Sequence, residues 1–100
     1  MDNLLATDWV HVFEEDTADG AVFRPEHAEI PLSRRPRERL RLRPNGKASV
    51  LVQGEDDRYV ERSATWHDED GTVVLRARGG PTLRIIDRSP SRLIVKMERL

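Results

Sequence analysis

Apolar and polar residues alternate along almost the whole chain, so that most short runs carry an apolar side chain at every second position. Because consecutive side chains of a β-strand point to opposite faces, this period of two predicts strands with one buried and one exposed face. Turn residues interrupt the pattern roughly every eight to twelve positions, which is typical of all-β sandwiches and barrels. The pattern predicts eight strands, over residues 8–14, 21–24, 39–43, 47–53, 59–67, 72–78, 82–88 and 92–99.

The turn sequences test this prediction, because the number of loop residues decides which side chains face each other across a hairpin. At residues 44–46, proline favours a type I turn and glycine suits the left-handed position, which gives a three-residue loop. The pairs predicted in this way along the chain are Leu42 with Ala48, Leu40 with Val50, Val52 with Val60, Ala48 with Ala64, Ala77 with Leu83, Leu75 with Ile85, Ile85 with Leu93, and Leu83 with Val95. Five successive hairpins therefore share one apolar face, which indicates an antiparallel meander.

An open meander has an unpaired strand at each edge, and closing the first strand onto the last removes both edges. We therefore predict an all-β fold: a single-domain antiparallel up-and-down meander over residues 1–100, closed as an eight-stranded lipocalin-like barrel. The interior of such a barrel is just wide enough for packed side chains or one small ligand.

Composition and charge narrow the classes of function. The 17 basic and 18 acidic residues leave a net charge of −1, so the chain lacks the positive field that gathers nucleic acid. The absence of cysteine excludes disulfides and thiolate metal sites, and makes a cytoplasmic protein the simplest interpretation. No apolar run is long enough for a signal peptide or a membrane span, so we expect no membrane partner.

A tryptophan near the start of the first strand adds a family resemblance. Eight up-and-down strands with Trp9 entering the first resemble the lipocalin-like, or calycin, barrels, which as a group bind small ligands. Members of that group usually carry Gly-x-Trp there and a basic residue late in the last strand that packs across the tryptophan. Here Thr7 replaces the glycine, and the resemblance implies Arg99, or alternatively Lys96, as the packing partner. The chain is shorter than typical members and lacks their disulfide, so any cavity should be shallow.

The strict alternation places two polar side chains, Arg62 and His11, on the predicted inner face. A buried arginine needs a partner, and we hypothesise that it binds, with the imidazole, the carboxylate or phosphate head of a small amphipathic ligand. The alternative is a β-bulge, or a position near the barrel mouth, that lets the guanidinium reach solvent. The predicted ligand-binding residues are Arg62, His11, Trp9, Phe13 and Trp66.

The remaining polar motifs predict no catalysis. The acidic run from His67 to Asp70 matches no metal-binding motif, and with Gly71 it is typical of a hairpin turn, so we expect neither a metal nor a cofactor. There is no nucleophile elbow, phosphate-cradling loop or recognisable serine–histidine–acid arrangement, and we therefore expect a protein that is not an enzyme.

A basic loop supports the alternative function. The loop from Arg34 to Arg39 is the most basic segment and follows a stretch too long for a tight hairpin. Such a loop could bind a protein partner, in which case the chain is a non-enzymatic interaction module with a fully packed barrel interior. The size of the interior cavity distinguishes this alternative from ligand binding.

Overall fold

Eight antiparallel strands close into a barrel in the computed structural model, which describes residues 3–5, 7–32, 37–53, 59–77 and 82–98. The strands are β1 (Asp8–His11), β2 (Ala21–Pro25), β3 (Arg39–Leu42), β4 (Lys47–Gln53), β5 (Tyr59–Glu69), β6 (Thr72–Ala77), β7 (Thr82–Ser89) and β8 (Arg92–Glu98). Two short 3-10 helices, Asn3–Leu5 and Phe13–Glu15, precede and follow β1. The predicted all-β, eight-stranded closed barrel is confirmed.

The order of strands around the barrel differs from the expected one at a single place. Strands β3 to β8 form a continuous up-and-down meander, and β2 pairs with β8. Strand β1 lies between β2 and β3 and pairs with both. The expected closure of the first strand onto the last is therefore wrong: the second strand makes that contact, and the first hairpin is inserted in reverse order.

This insertion requires a long connection between β2 and β3. Both strands are antiparallel to β1, so they run in the same direction, and residues 26–38 must return from one end of the barrel to the other. At one end the Glu26 amide donates to the Asp8 carbonyl, and at the other the His11 amide donates to the Glu38 carbonyl, both at 2.9 Å. Between these two ends, the Arg37 guanidinium joins the carbonyls of Pro31 and His11, so described parts of the connection are tied to β1.

The predicted register holds for the hairpins that join β3, β4 and β5. The confirmed pairs are Leu40 with Val50, Leu42 with Ala48, Ala48 with Ala64, and Val52 with Val60. Farther along, Trp66 faces Leu75 across the turn formed by Asp70 and Gly71, both of which have positive φ angles (52° and 87°). The expected hairpin turn at this acidic segment is therefore confirmed.

The register of the β6–β7 hairpin is shifted by two residues from the prediction. Leu83 lies opposite Leu75 instead of Ala77, and Ile85 lies opposite Val73 instead of Leu75. A shift of two keeps every side chain on its predicted face, because the pleat has a period of two. The inner face is therefore correct although the partners are wrong.

The β7–β8 hairpin departs from the prediction by two residues as well. Ile85 lies opposite Val95 instead of Leu93, and Leu83 lies opposite Met97 instead of Val95. A β-bulge at Ile86 absorbs one extra residue of β7, between the pairs that Ile85 and Asp87 make. Without that bulge, the short turn after Ser89 would bring outward-facing positions of one strand opposite inward-facing positions of the other.

The interior side chains form one apolar cluster. Trp9 is buried in this cluster, and its Nε1 donates to the Leu4 carbonyl at 3.2 Å, so the first 3-10 helix packs against one end. We call this end, together with the Asp70–Gly71 turn, the barrel base, and the opposite end, where β1 ends and β2 begins, the barrel mouth. No helix among the described residues is long and apolar enough to span a membrane.

Candidate functional site

A pocket of about 160 Å³ opens at the barrel mouth. Its wall is mainly apolar, because inward-facing side chains of five strands meet there: Phe23, Leu40, Val50, Leu83, Val95 and Met97. Ala21 also lines the pocket, and its small side chain leaves room at the start of β2. The polar residues in the wall are His11, Glu38 and Arg39.

His11 is held in a fixed orientation at the end of β1. Its Nε2 lies 2.9 and 3.0 Å from the two carboxylate oxygens of Asp16, which the second 3-10 helix brings back towards the strand. Asp16 is itself fixed, because its Oδ1 accepts a hydrogen bond from the Val22 amide at 2.9 Å. The imidazole stacks on the Phe23 ring at a centroid distance of 5.1 Å and an interplanar angle of 27°. The side chain is 20% exposed.

Arg37 joins three segments of chain beside the mouth. Its guanidinium makes two hydrogen bonds to the Glu14 carboxylate, at 2.8 and 2.7 Å, and donates to the carbonyls of His11 and Pro31 at 3.1 and 2.8 Å. It also lies over the Phe13 ring, 4.7 Å from the centroid. The hydrogen bonds from Arg37 are the main cause that lowers the pKa of Glu14 from 4.5 to about 2. The sequence indicates this arginine only as part of the basic loop from Arg34 to Arg39, and nothing in the sequence pattern predicts its buried position or its partners.

Of the residues predicted to bind a ligand, His11 is the one that lines the pocket. Trp9 is buried in the core, where its Nε1 is used by the Leu4 carbonyl. Phe13 lies in the second 3-10 helix, beyond the end of β1, and is half-buried against Arg37. The predicted first strand was therefore too long, and its last aromatic residue does not face the interior.

Arg62 has the predicted register but not the predicted burial. It lies opposite Val50, and the pairing of β4 with β5 runs without a shift, so no bulge turns it outwards. Its side chain is nevertheless exposed, because the inner face reaches solvent near the mouth. The expectation of a buried arginine is wrong, and the alternative of a position near the barrel mouth fits.

Trp66 lies away from the pocket. Its Nε1 donates to the Arg43 carbonyl at 2.6 Å and its amide donates to the Gly46 carbonyl at 2.9 Å. Both partners belong to the segment around the β3–β4 turn, which is at the barrel base. The structure therefore places the two tryptophans outside the pocket wall.

The basic partner that the family resemblance implies for Trp9 is not observed among the described residues. Arg99 lies outside them. Lys96 is exposed on β8 and faces Arg84 of β7, whereas Trp9 points into the barrel from β1, which does not adjoin β8. Lys96 is therefore not the packing partner.

The acidic segment at the base forms a charged network on the outer face. Glu69 accepts a hydrogen bond from the His67 Nε2 at 2.9 Å and lies 3.6 Å from the Arg84 guanidinium. The bond from His67 is the main cause that lowers the pKa of Glu69. Within the described ranges, no three histidine, aspartate or glutamate side chains come together as metal ligands.

The fold and the pocket define a class of protein: a closed eight-stranded antiparallel β-barrel, consistent with a calycin-like architecture, with a small pocket at one end. Comparisons with protein-family models, with curated proteins and with solved structures find no match to this chain.

Proposed function

We propose that this protein is a non-enzymatic, lipocalin-like binder of a small, mostly apolar ligand, which it holds in the pocket at the barrel mouth. The observation that carries the proposal is the mainly apolar pocket of about 160 Å³. An apolar cavity of about 150 Å³ engineered into another protein binds benzene, whereas drug-sized ligands occupy roughly 300 Å³ or more. The expected ligand is therefore about as large as one substituted aromatic ring or a short branched chain. The cysteine-free sequence supports a cytoplasmic location.

The charges around the pocket favour an uncharged ligand. Glu38 and Arg39 both line it and have opposite signs, and Arg39 already pairs with Glu26 at 3.3 Å. Arg62, the residue first expected to bind an anionic head, does not line the pocket. An anion would thus find no uncompensated cation in the described wall, and removing it from water would be unfavourable.

Filling the pocket tests the proposal. Ala21→Leu adds three carbon atoms to the wall, whereas Ala18→Leu, at an exposed position of the preceding turn, adds the same atoms outside it. We expect Ala21→Leu to weaken toluene binding at least about tenfold, the equivalent of roughly 1.4 kcal/mol, and Ala18→Leu to leave it unchanged. The measurement is a titration followed by the methyl NMR signals of the pocket residues. Equal binding by both variants, or no binding by the wild type, would overturn the proposal.

A protein-interaction module is the second candidate, favoured by the full exposure of Leu32 in the connection between β2 and β3. Two of the basic residues assigned to this surface are already engaged, since Arg37 pairs with Glu14 and Arg39 pairs with Glu26. Arg34 and Arg35 lie outside the described residues. Native mass spectrometry of gently purified protein separates the two candidates: a retained small mass supports ligand binding, and a bound partner chain supports the module.

A further inference from the structure

We propose that His11 sets the specificity of the pocket by accepting a hydrogen bond at Nδ1 from a hydroxyl or N–H group of the ligand. The class of ligand is an uncharged molecule with a small apolar body and one hydrogen-bond donor, of which phenol is the simplest example. This inference rests on the proposed ligand-binding function and names the chemistry that the same pocket recognises.

The first step is that Nε2 is already occupied. It lies within hydrogen-bond distance of both carboxylate oxygens of Asp16, and a carboxylate only accepts hydrogen bonds. Nε2 must therefore carry the proton. The neutral imidazole then has its lone pair on Nδ1, because the partner of one ring nitrogen sets the state of the other. The Val22 amide of β2 donates to Asp16 and holds its carboxylate beside Nε2, and this arrangement favours the tautomer with the proton on Nε2.

The second step is that Nδ1 is accessible. No hydrogen bond joins Nδ1 to a described residue, and no buried side-chain nitrogen or oxygen in the described part of the chain lacks a partner. Nδ1 is therefore not enclosed by protein. Because His11 lines the pocket and its Nε2 is used by Asp16, we infer that Nδ1 is the polar atom that this residue offers to a ligand.

The third step is that the ring cannot easily turn away. Phe23 stacks on one face, and Phe13 meets the ring edge-on at a centroid distance of 6.3 Å and an angle of 71°. Phe13 is in turn covered by the Arg37 guanidinium. A polar group that is oriented before the ligand arrives loses little entropy on binding. His11 is thus a positioned acceptor in a mainly apolar wall.

A pair of probes of equal shape tests the inference. Phenol and toluene differ by a hydroxyl in place of a methyl, and both are small enough for a pocket of about 160 Å³. Titrations of the 100-residue chain at about pH 8.5, where ordinary imidazoles are neutral, use methyl signals of the pocket wall as the readout. In the variant His11→Phe, which keeps an aromatic ring, we expect phenol to bind about three- to tenfold more weakly and toluene to be unaffected.

The matched control is His67→Phe, because it makes the same replacement at a histidine on the outer face near the barrel base, away from the pocket. This variant should keep the wild-type preference for phenol. A second measurement does not depend on any variant: phenol, but not toluene, should shift the ¹⁵N resonance of the His11 Nδ1 in the wild-type protein. This readout reports the hydrogen bond directly.

The possible results distinguish failure of the proposed ligand binding from failure of the role assigned to His11. If neither probe perturbs the pocket methyl signals, the proposed function fails. If both probes bind and His11→Phe changes neither, or if His67→Phe removes the preference as well, the pocket stands and the role of His11 is overturned. If benzoate binds more tightly than phenol and Arg62→Met removes that binding, the ligand is an anion held at the rim, and the inference is again overturned.

Discussion

The salt bridge between Arg37 and Glu14 shows how single residues hold the barrel mouth together. The Arg37 side chain is only 8% exposed, and its guanidinium bonds to a carboxylate of the second 3-10 helix and to carbonyls of β1 and of the connection between β2 and β3. Burying an arginine is unfavourable unless its N–H groups find acceptors, and here the acceptors come from three different segments. The pair therefore ties this connection to the strand that carries His11.

The lowered pKa of Glu14 predicts a specific pH dependence of stability. A carboxyl whose pKa falls from 4.5 to about 2 on folding stabilises the native state above pH 4.5, and this contribution is lost as the pH falls towards 2. In Glu14→Gln the free energy of unfolding should fall less steeply over this interval than in the wild type. Urea denaturation at a series of pH values measures the slope.

The control for this prediction replaces Arg37, which lowers the pKa of Glu14, instead of Glu14 itself. In Arg37→Met the free energy of unfolding should also fall less steeply over the same pH interval, because Glu14 then lacks the partner that lowers its pKa. The double variant should show no additional flattening. A wild-type slope in Arg37→Met would show that another group is responsible.

Among the elements, the hairpin of β7 and β8 depends on its bulge. Ile86 is the extra residue, and its side chain is largely exposed. On either side of it, Ile85 pairs with Val95 and Asp87 pairs with Ile94. The bulge thus shifts the alternation of inner and outer positions along β7 by one residue, so that Arg88 instead of Asp87 lies opposite the buried Leu93. It also increases the local twist that a closed barrel needs.

Deleting residues from this hairpin distinguishes the bulge from regular pairing. Deleting Ile86 should leave an unbroken ladder with the same pairs, and we expect the free energy of unfolding to stay within about 1.5 kcal/mol of the wild type. Deleting Ile94 from the partner strand should turn the buried Val95 outwards and cost at least about 2 kcal/mol. Thermal or urea unfolding compares the two; an equal loss would argue against this role of the bulge.

At the scale of the whole molecule, the barrel is closed by a short contact between β2 and β8. Three pairs make this contact: Ala21 with Val95, Val22 with Ile94, and Phe23 with Leu93. Gly20 precedes β2 and lies so close that a Cβ atom there would be 2.5 Å from the Val95 carbonyl oxygen. The close approach of the two backbones therefore requires glycine at this position.

Gly20→Ala should consequently loosen the closure. We expect a loss of about 1–3 kcal/mol in the free energy of unfolding, because backbone must move to remove the overlap. The amides of residues 21–23 and 93–95 should exchange with solvent faster than in the wild type. Gly71→Ala, at the base turn where a Cβ meets nothing within 4 Å, should destabilise through its positive φ angle without opening this contact. Unchanged exchange in Gly20→Ala would contradict the prediction.

Part of the site was visible in the sequence and part was not. The alternation put His11 on the inner face, and the structure places it in the pocket wall. The same alternation put Arg62 inside but carried no information about how near the position lies to the rim, so it left burial and exposure near the mouth as two alternatives, of which the structure shows the second. The acceptor role of Asp16 and the partners of Arg37 depend on segments that meet only after the chain has folded.

The sequence by itself determined which side chains face inwards from β3 to β8, up to the bulge in β7, because alternation is a local property. In the two hairpins with shifted registers, the apolar residues predicted to face inwards still do so. Only the tertiary structure decided which strands close the barrel. The connection of residues 26–38 is long enough for either β1 or β2 to pair with β8, and its sequence does not specify which of the two strands does so. Packing of β2 against β8, and of β1 between β2 and β3, settles that choice and places His11 at the pocket.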